Sequence, residues 1–258
     1  MTTAASSRPR RRGRALIVAI VVLVLLVVAA VVADSAARRE IVDRAATSIR
    51  EALSLPAEHP VEVDVAGWSV LPQLLAGRLD RLDVRSDDVA FGDLTGDVVA
   101  ALEGVPTGES GELEDGRAIV ALDPASVTDL VAARSDVPID GVTLDPPLVR
   151  VNTSVEVLGL TLAAGVGIEL GALDGAIELT PSEVTAAGAT LTAADVEKRF
   201  GAVSEGLLDT RSVCIAESVP QGLSLTGVAV TTESLDASFA LSPTFLSDPA
   251  QQEPGVCP

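Results

Sequence analysis

The sequence predicts an α+β protein: an N-terminal transmembrane helix, then an elongated, curved antiparallel sheet with about three helices packed on one face around an apolar groove. Three observations carry this expectation. Residues 15–33 form an unbroken apolar run, the stretches beyond residue 60 alternate apolar with polar positions, and no strand–helix–strand rhythm recurs that would build a parallel sheet.

The N-terminus comes first. "RPRRRGR" holds Arg8, Arg10, Arg11, Arg12 and Arg14, and "ALIVAIVVLVLLVVAAVVA" follows without a charge or a helix breaker. About 20 apolar residues cross a bilayer core as a helix. Arginines beside such a span stay in the cytoplasm. The expected order is a basic cytoplasmic tail at 1–14, an anchor at 15–33, an extracytoplasmic domain at 34–246 and a tail at 247–258. That is a single pass through the cytoplasmic membrane, with the C-terminal domain on the periplasmic side. The competing reading is a signal peptide cleaved after Val31-Val32-Ala33, giving a secreted product. A signal core usually runs about 7–15 residues, and the greater length here favours a retained anchor.

Five of the 18 basic residues lie in the first 33 positions, where there is no acid; all 37 acidic residues lie beyond, and the chain carries a net −19. So negative a body repels polyphosphate, which excludes nucleic acid as a partner. It is also repelled by anionic headgroups unless it is tethered. Outside the cytoplasm the two cysteines, Cys214 and Cys257, are expected to pair. The bond would close a loop of about 44 residues and stabilise by roughly 4 kcal/mol on the chain-entropy model. Two isolated thiols without a nearby histidine suit neither a metal site nor a redox pair.

After the anchor, Ile41, Ala45, Ile49 and Leu53 recur at helical spacing, with charged residues on the other side and Pro56 as the stop. Then the period becomes two. Val61, Val63 and Val65 alternate with Glu62 and Asp64, and Leu82 and Val84 alternate with Arg81, Asp83 and Arg85. "DVVAALEGV" is short and ambiguous. "RAIVALDP" reads as a strand running into a helix, with Asp123 as cap and Pro124 at the first helical position. From Gly141 the chain is nearly all strand, with Gly159, Gly165, Gly171 and Gly175 expected at turns or bulges. "TAADVEKRFGAVSEGLL" is a further helix opened by Thr192 and Asp195, and "GLSLTGVAVTTESLDASFAL" returns to strand. The count is about seven to nine strands.

Catalytic signatures are absent. His59, the only histidine, lies between Glu58 and Pro60 and reads as a solvated linker residue. There is no nucleophile elbow, no zinc motif, no phosphate loop and no EF-hand, so neither a catalytic residue nor a metal nor a cofactor is expected. An apolar groove for acyl chains needs no sharp motif, only lining. "VAGWSVLPQLLAGRLDRLDVR" at 65–85 is the stretch that suits it. It carries the only tryptophan of a chain with four phenylalanines and no tyrosine. Trp68, Val70, Leu71, Leu74 and Leu75, with Ile41 and Ile49 of the amphipathic helix, are the candidate lipid-binding residues. Arg78, Arg81 and Arg85 are candidates for a phosphate headgroup. The bland alternative makes 68–75 a core-packing turn and short helix, with the arginines paired to Asp80, Asp83, Asp87 and Asp88.

The same residues resemble the LmeA-like phospholipid-binding family of actinobacterial envelope proteins. Gly67, Trp68, Leu71, Gln73, Leu74 and Gly77 match its first motif, although the family more often has Phe-Pro where Trp68-Ser69 stands. Pro220, Gly222, Leu223, Leu225, Val228 and Val230 are similar to its closing hairpin, with Ser234 where the family usually has Gly. The resemblance runs over about 15–241, and its motifs are mostly apolar spacing and glycines. It implies a tubular lipid-binding-like fold, a periplasmic-side location and a phospholipid held in an apolar groove. It offers no catalytic residue. Some relatives assist maturation of mannose-containing lipoglycans, a role that no motif here encodes. The expectation is therefore a membrane-anchored protein that binds phospholipid or another acyl-chain lipid and carries or presents it in envelope biogenesis. A non-catalytic scaffold with a solid core, and an envelope hydrolase, are the alternatives.

Overall fold

A computed structural model describes residues 10–91, 94–108, 110–135, 138–157, 160–173, 175–186, 188–201 and 208–257. The first half runs α1 (Arg10–Ala52), β1 (Glu62–Val65), α2 (Leu71–Ala76), β2 (Arg78–Phe91), β3 (Leu94–Pro106), β4 (Asp115–Leu122) and α3 (Pro124–Arg134). The second runs β5 (Gly141–Asp145), β6 (Leu148–Val157), β7 (Leu160–Leu173), β8 (Ala176–Ala186), β9 (Ala189–Thr192), α4 (Ala193–Phe200), β10 (Arg211–Cys214), β11 (Leu223–Val230) and β12 (Leu235–Leu241). Arg8, Gly159 and residues 202–207 of the expected last helix lie outside the described residues.

The fold is α+β, built on two antiparallel sheets. The first has the order β1-β2-β3-β4-β12-β11, so the C-terminal hairpin completes a sheet begun by the N-terminal half. The second has the order β10-β8-β7-β6-β5, with β9 paired to β8. The sequence suggested one long sheet of fewer strands. The ladder breaks because β4 takes β12 as its neighbour and α3 stands between β4 and β5. Strands β9 and β10 are only four residues each, too short to show a period.

Helix α1 fuses the apolar run and the amphipathic segment into one helix, since Asp34, Ser35, Ala36 and Ala37 contain no breaker. It is long and apolar enough to cross a membrane: a window near its start has mean hydropathy 2.8, and none of that window is buried in the protein. Its later turns are amphipathic and pack Ile41, Val42 and Ile49 on the first sheet. The helix ends at Ala52, before Pro56.

Strand β3 shows why "DVVAALEGV" looked ambiguous. Val98 and Ala100 face one way and Val99 the other, yet all are apolar, and Val99 is 43% exposed. Gly165 and Gly171, expected at turns or bulges, instead sit inside β7 as ordinary ladder positions. The register shift lies between Gly167 and Ile168, and Gly175, at φ 78°, lies between β7 and β8.

Two buried clusters hold the sheets. One joins β1, β2, β3 and α1 around Val65, Leu82, Val84 and Leu102. The other places Val127 of α3 on Leu144 and Val149, with Leu122, Val230 and Leu235 of the first sheet alongside. The inner faces of both sheets therefore meet at α3. The amide of Ser126 donates to Asp123 Oδ1 at 2.6 Å and starts that helix. Cys214 and Cys257 are bonded, and the tail they hold lies along 219–222, where the amides of Gln221, Gly222 and Gly255 donate to the carbonyls of Glu253, Gln251 and Val219.

Two stability measurements follow. Asp123→Ala should cost about 1 kcal/mol in urea unfolding, the usual worth of an N-cap. The backbone amide of Ser126 holds the Asp123 carboxyl below its ordinary range. Its contribution is therefore full above the ordinary carboxylate pKa and fades as pH falls through the lowered folded value, so the gap between variant and parent should close in acid. Cys257→Ser should lose about 2–4 kcal/mol by the same measurement; an unchanged midpoint would show that the tail is held without the bond.

Candidate functional site

Strand alternation makes one face of the first sheet apolar across β3, β4, β12 and β11. The two clusters cover its ends. Between them, two rows cross β3, β4, β12 and β11: Ala100–Ala118–Phe239–Leu225 and Val98–Val120–Ala237–Val228. At about 4.8 Å per strand the rows are roughly 14 Å long. Phe239 is buried, but the other seven are only half-buried. Six of the eight side chains are no larger than Val, and Ala100, Ala118 and Ala237 leave the sheet's backbone close to the surface. The result is a shallow apolar belt.

The belt leads into a cavity of about 460 Å³. Leu225 and Phe239 belong to both. Ile215, Val219 and Pro220 form a wall, Gly175 comes from the second sheet, and Val256 of the tail stands at the mouth. Cys214 adjoins Ile215 and Cys257 adjoins Val256, so the disulfide clamps two sides of the cavity to each other. Volumes of roughly 300–1,000 Å³ are usual for small-molecule sites. The second sheet extends the same character, with Val151, Val166, Ile177, Leu179 and Val184 half-buried on the face that carries Val149 and Ile168.

The tryptophan loop lies elsewhere, against α1. Asp34 Oδ1 accepts from Ser69 Oγ at 2.6 Å, from the Val70 amide at 2.6 Å and from the Leu71 amide at 3.1 Å. Helix α2 has no capping side chain of its own; Asp34 supplies one from across the chain. Arg38 donates to the carbonyls of Val65 and Gly67. Buried Gln73 donates to Ala66 O and Ser69 O and accepts from the Asp80 amide at 2.9 Å. Gly67, at φ 102°, could carry no Cβ, which would fall 2.5 Å from Gln73 Nε2.

The expected lipid residues therefore divide. Val70 is 0% exposed, and Leu74, Ile41 and Ile49 pack with it in the first cluster. Leu71 is half-buried. Trp68 and Leu75 are each 92% exposed. The arginines are not brought to the apolar belt. Arg81 pairs with Asp83 at 2.8 Å and Glu103 at 3.3 Å, Arg85 with Asp87 at 3.2 Å, and Arg78 with Glu114 at 2.8 Å. Arg81 and Arg85 alternate with Leu82 and Val84 and so lie on the opposite face of β2.

His59 is not the solvated linker residue expected. It is half-buried, with Nε2 3.1 Å from Ser86 Oγ, because the loop before β1 folds back over β2. The Ser86 hydroxyl donates to Pro60 O, so its one proton is committed and His59 Nε2 is the donor to it. A general base would need the opposite polarity, and Ser86 is only 2% exposed. The pair staples the loop. Sequence reasoning missed Asp34, Arg38, Ile215, Val219 and Phe239. The closing-hairpin motif, through Pro220, Leu223 and Leu225, pointed toward the cavity.

A model of the LmeA-like phospholipid-binding family matches residues 32–240. No curated protein and no solved structure matches the chain. The match begins at the end of the apolar run and closes on β12, so it takes in the tryptophan loop, the belt and nearly all of the cavity wall. The chain belongs to the LmeA-like phospholipid-binding family.

Proposed function

We propose that this chain is a membrane-anchored phospholipid-binding protein without catalytic activity, in which acyl chains lie along the belt of the first sheet with their ends in the cavity beside the disulfide. In this reading 15–33 is the anchor, the basic tail stays in the cytoplasm, and the body from residue 34 works on the outer side of the membrane, carrying or presenting lipid for the envelope. The observation that carries it is the mismatch between apolar area and cover. Helices α1 and α3 bury the ends of the sheet's inner face and leave the two middle rows half-exposed, next to a cavity of suitable size. A methylene moved from water to such a surface gains about 0.8 kcal/mol, so ten of them gain on the order of 8 kcal/mol before ordering costs. The family's phospholipid binding supports the same conclusion. The paired arginines lie away from the belt, so the headgroup is read as staying near water at the cavity mouth.

A phospholipid with a photoreactive acyl chain tests this on the full chain in vesicles. Adducts are expected on β4, β11 and β12, and Ala118→Leu, which fills the belt, should reduce them at least several-fold while leaving adducts on 15–33 unchanged. Adducts confined to 15–33 would overturn the reading.

A further inference from the structure

The tryptophan loop shares no residue with the belt or the cavity. Residues 66–77 contain no charge, in a chain that is 21% charged. Trp68 and Leu75 are 92% exposed, and Pro72 and Ala76 between and beside them are exposed too. The loop does not move freely. Gln73 fills its centre with three hydrogen bonds, and Val70 anchors it in the core. Its position is tied to α1 by Asp34, which immediately follows the apolar run, and by Arg38 one turn later. A helix rises about 1.5 Å per residue, so Asp34 stands only that far beyond Ala33. The headgroup layer on each side of a bilayer is several ångströms deep, about 5–7 Å from the difference between total and hydrocarbon thickness.

We infer that Trp68, Pro72 and Leu75 dock as a rigid tip into the interfacial layer of the bilayer that α1 enters. This rests on the reading of 15–33 as an anchor. Indole suits that layer because its ring is apolar while its N–H still reaches water. The attraction is apolar, since the acidic body disfavours anionic headgroups, and it should survive high salt. Helix and tip together make two attachments at one membrane surface. Two attachments stop the body rotating about α1, and they set the height and direction of the belt relative to the lipid it draws on.

Trp68 is the chain's only indole, so its fluorescence reports one site. The experiment uses the full chain in phosphatidylcholine vesicles, with bromines placed at shallow or deep acyl positions. The expected result is blue-shifted emission, stronger quenching by shallow than by deep bromines, little quenching by aqueous iodide, and no change in high salt. Leu75→Asp, at an exposed position that the fold does not need, should shift the emission to the red and weaken the shallow quenching. Ala118→Leu should leave it unchanged, which separates docking from contact with a lipid on the belt. Quenching by iodide and not by bromolipid, in a chain that stays with the vesicles through an alkaline wash, would overturn the docking and leave the anchor standing. Release of the chain by that wash would overturn both. Protection from both quenchers would mean that protein covers the tip, and would also overturn the proposal.

Discussion

A sheet with one apolar face has to cover that face, and here the cover is incomplete. Six strands present apolar side chains on the inner side of the first sheet, but α1 reaches only the β1–β3 end and α3 only the far corner, where the second sheet arrives. A solid core would have bulky side chains in the middle rows. Ala100, Ala118 and Ala237 stand there among valines, with Leu225 and Phe239 as the two larger side chains. Neither helix covers these middle rows, which stay half-buried. The cavity at the end of the rows has the same origin. Gly222 lets the tail pass close to the start of β11, because a Cβ there would lie 2.9 Å from Gln251, and the disulfide ties the end of the tail to Cys214.

The second constraint is how the body meets α1. A carboxylate that accepts three hydrogen bonds and a guanidinium that donates to two carbonyls join the helix to the loop before β2. Charged partners roughly double the strength of such bonds relative to neutral ones. The loop on the other side of this joint is itself fixed by Gln73. Helix, loop and sheet thus form one continuous structure, in which the belt has a defined relation to the end of the apolar run.

Much of the architecture was legible in the sequence because local patterns carried it. The 3.6-residue spacing of Ile41, Ala45 and Ile49, the alternation at 61–65 and 81–85, and the Asp123-Pro124 pair all correspond to elements of the structure. The division into two sheets was not legible, since the pairing of β4 with β12 joins residues more than a hundred positions apart. Alternation failed at β3 because its outer positions, Val99 and Ala101, are as apolar as its inner ones. The cavity was hidden for a related reason: Gly175, Ile215, Phe239 and Val256 come from four separate segments, and no spacing rule connects them. In the tryptophan stretch, periodicity cannot tell a buried Val70 from an exposed Trp68 two residues away. What separates them is Asp34, whose hydrogen bonds turn Val70 inward and leave the indole outside.

Native mass spectrometry of the full chain, released gently from its detergent and activated in steps, tests the central claim most directly. If the belt and cavity hold acyl chains, the loosely associated lipids around α1 leave first, and a discrete species one phospholipid heavier than the chain persists over a range of collision energies. A smooth loss of all lipid down to the bare chain, with no such plateau, would contradict the account.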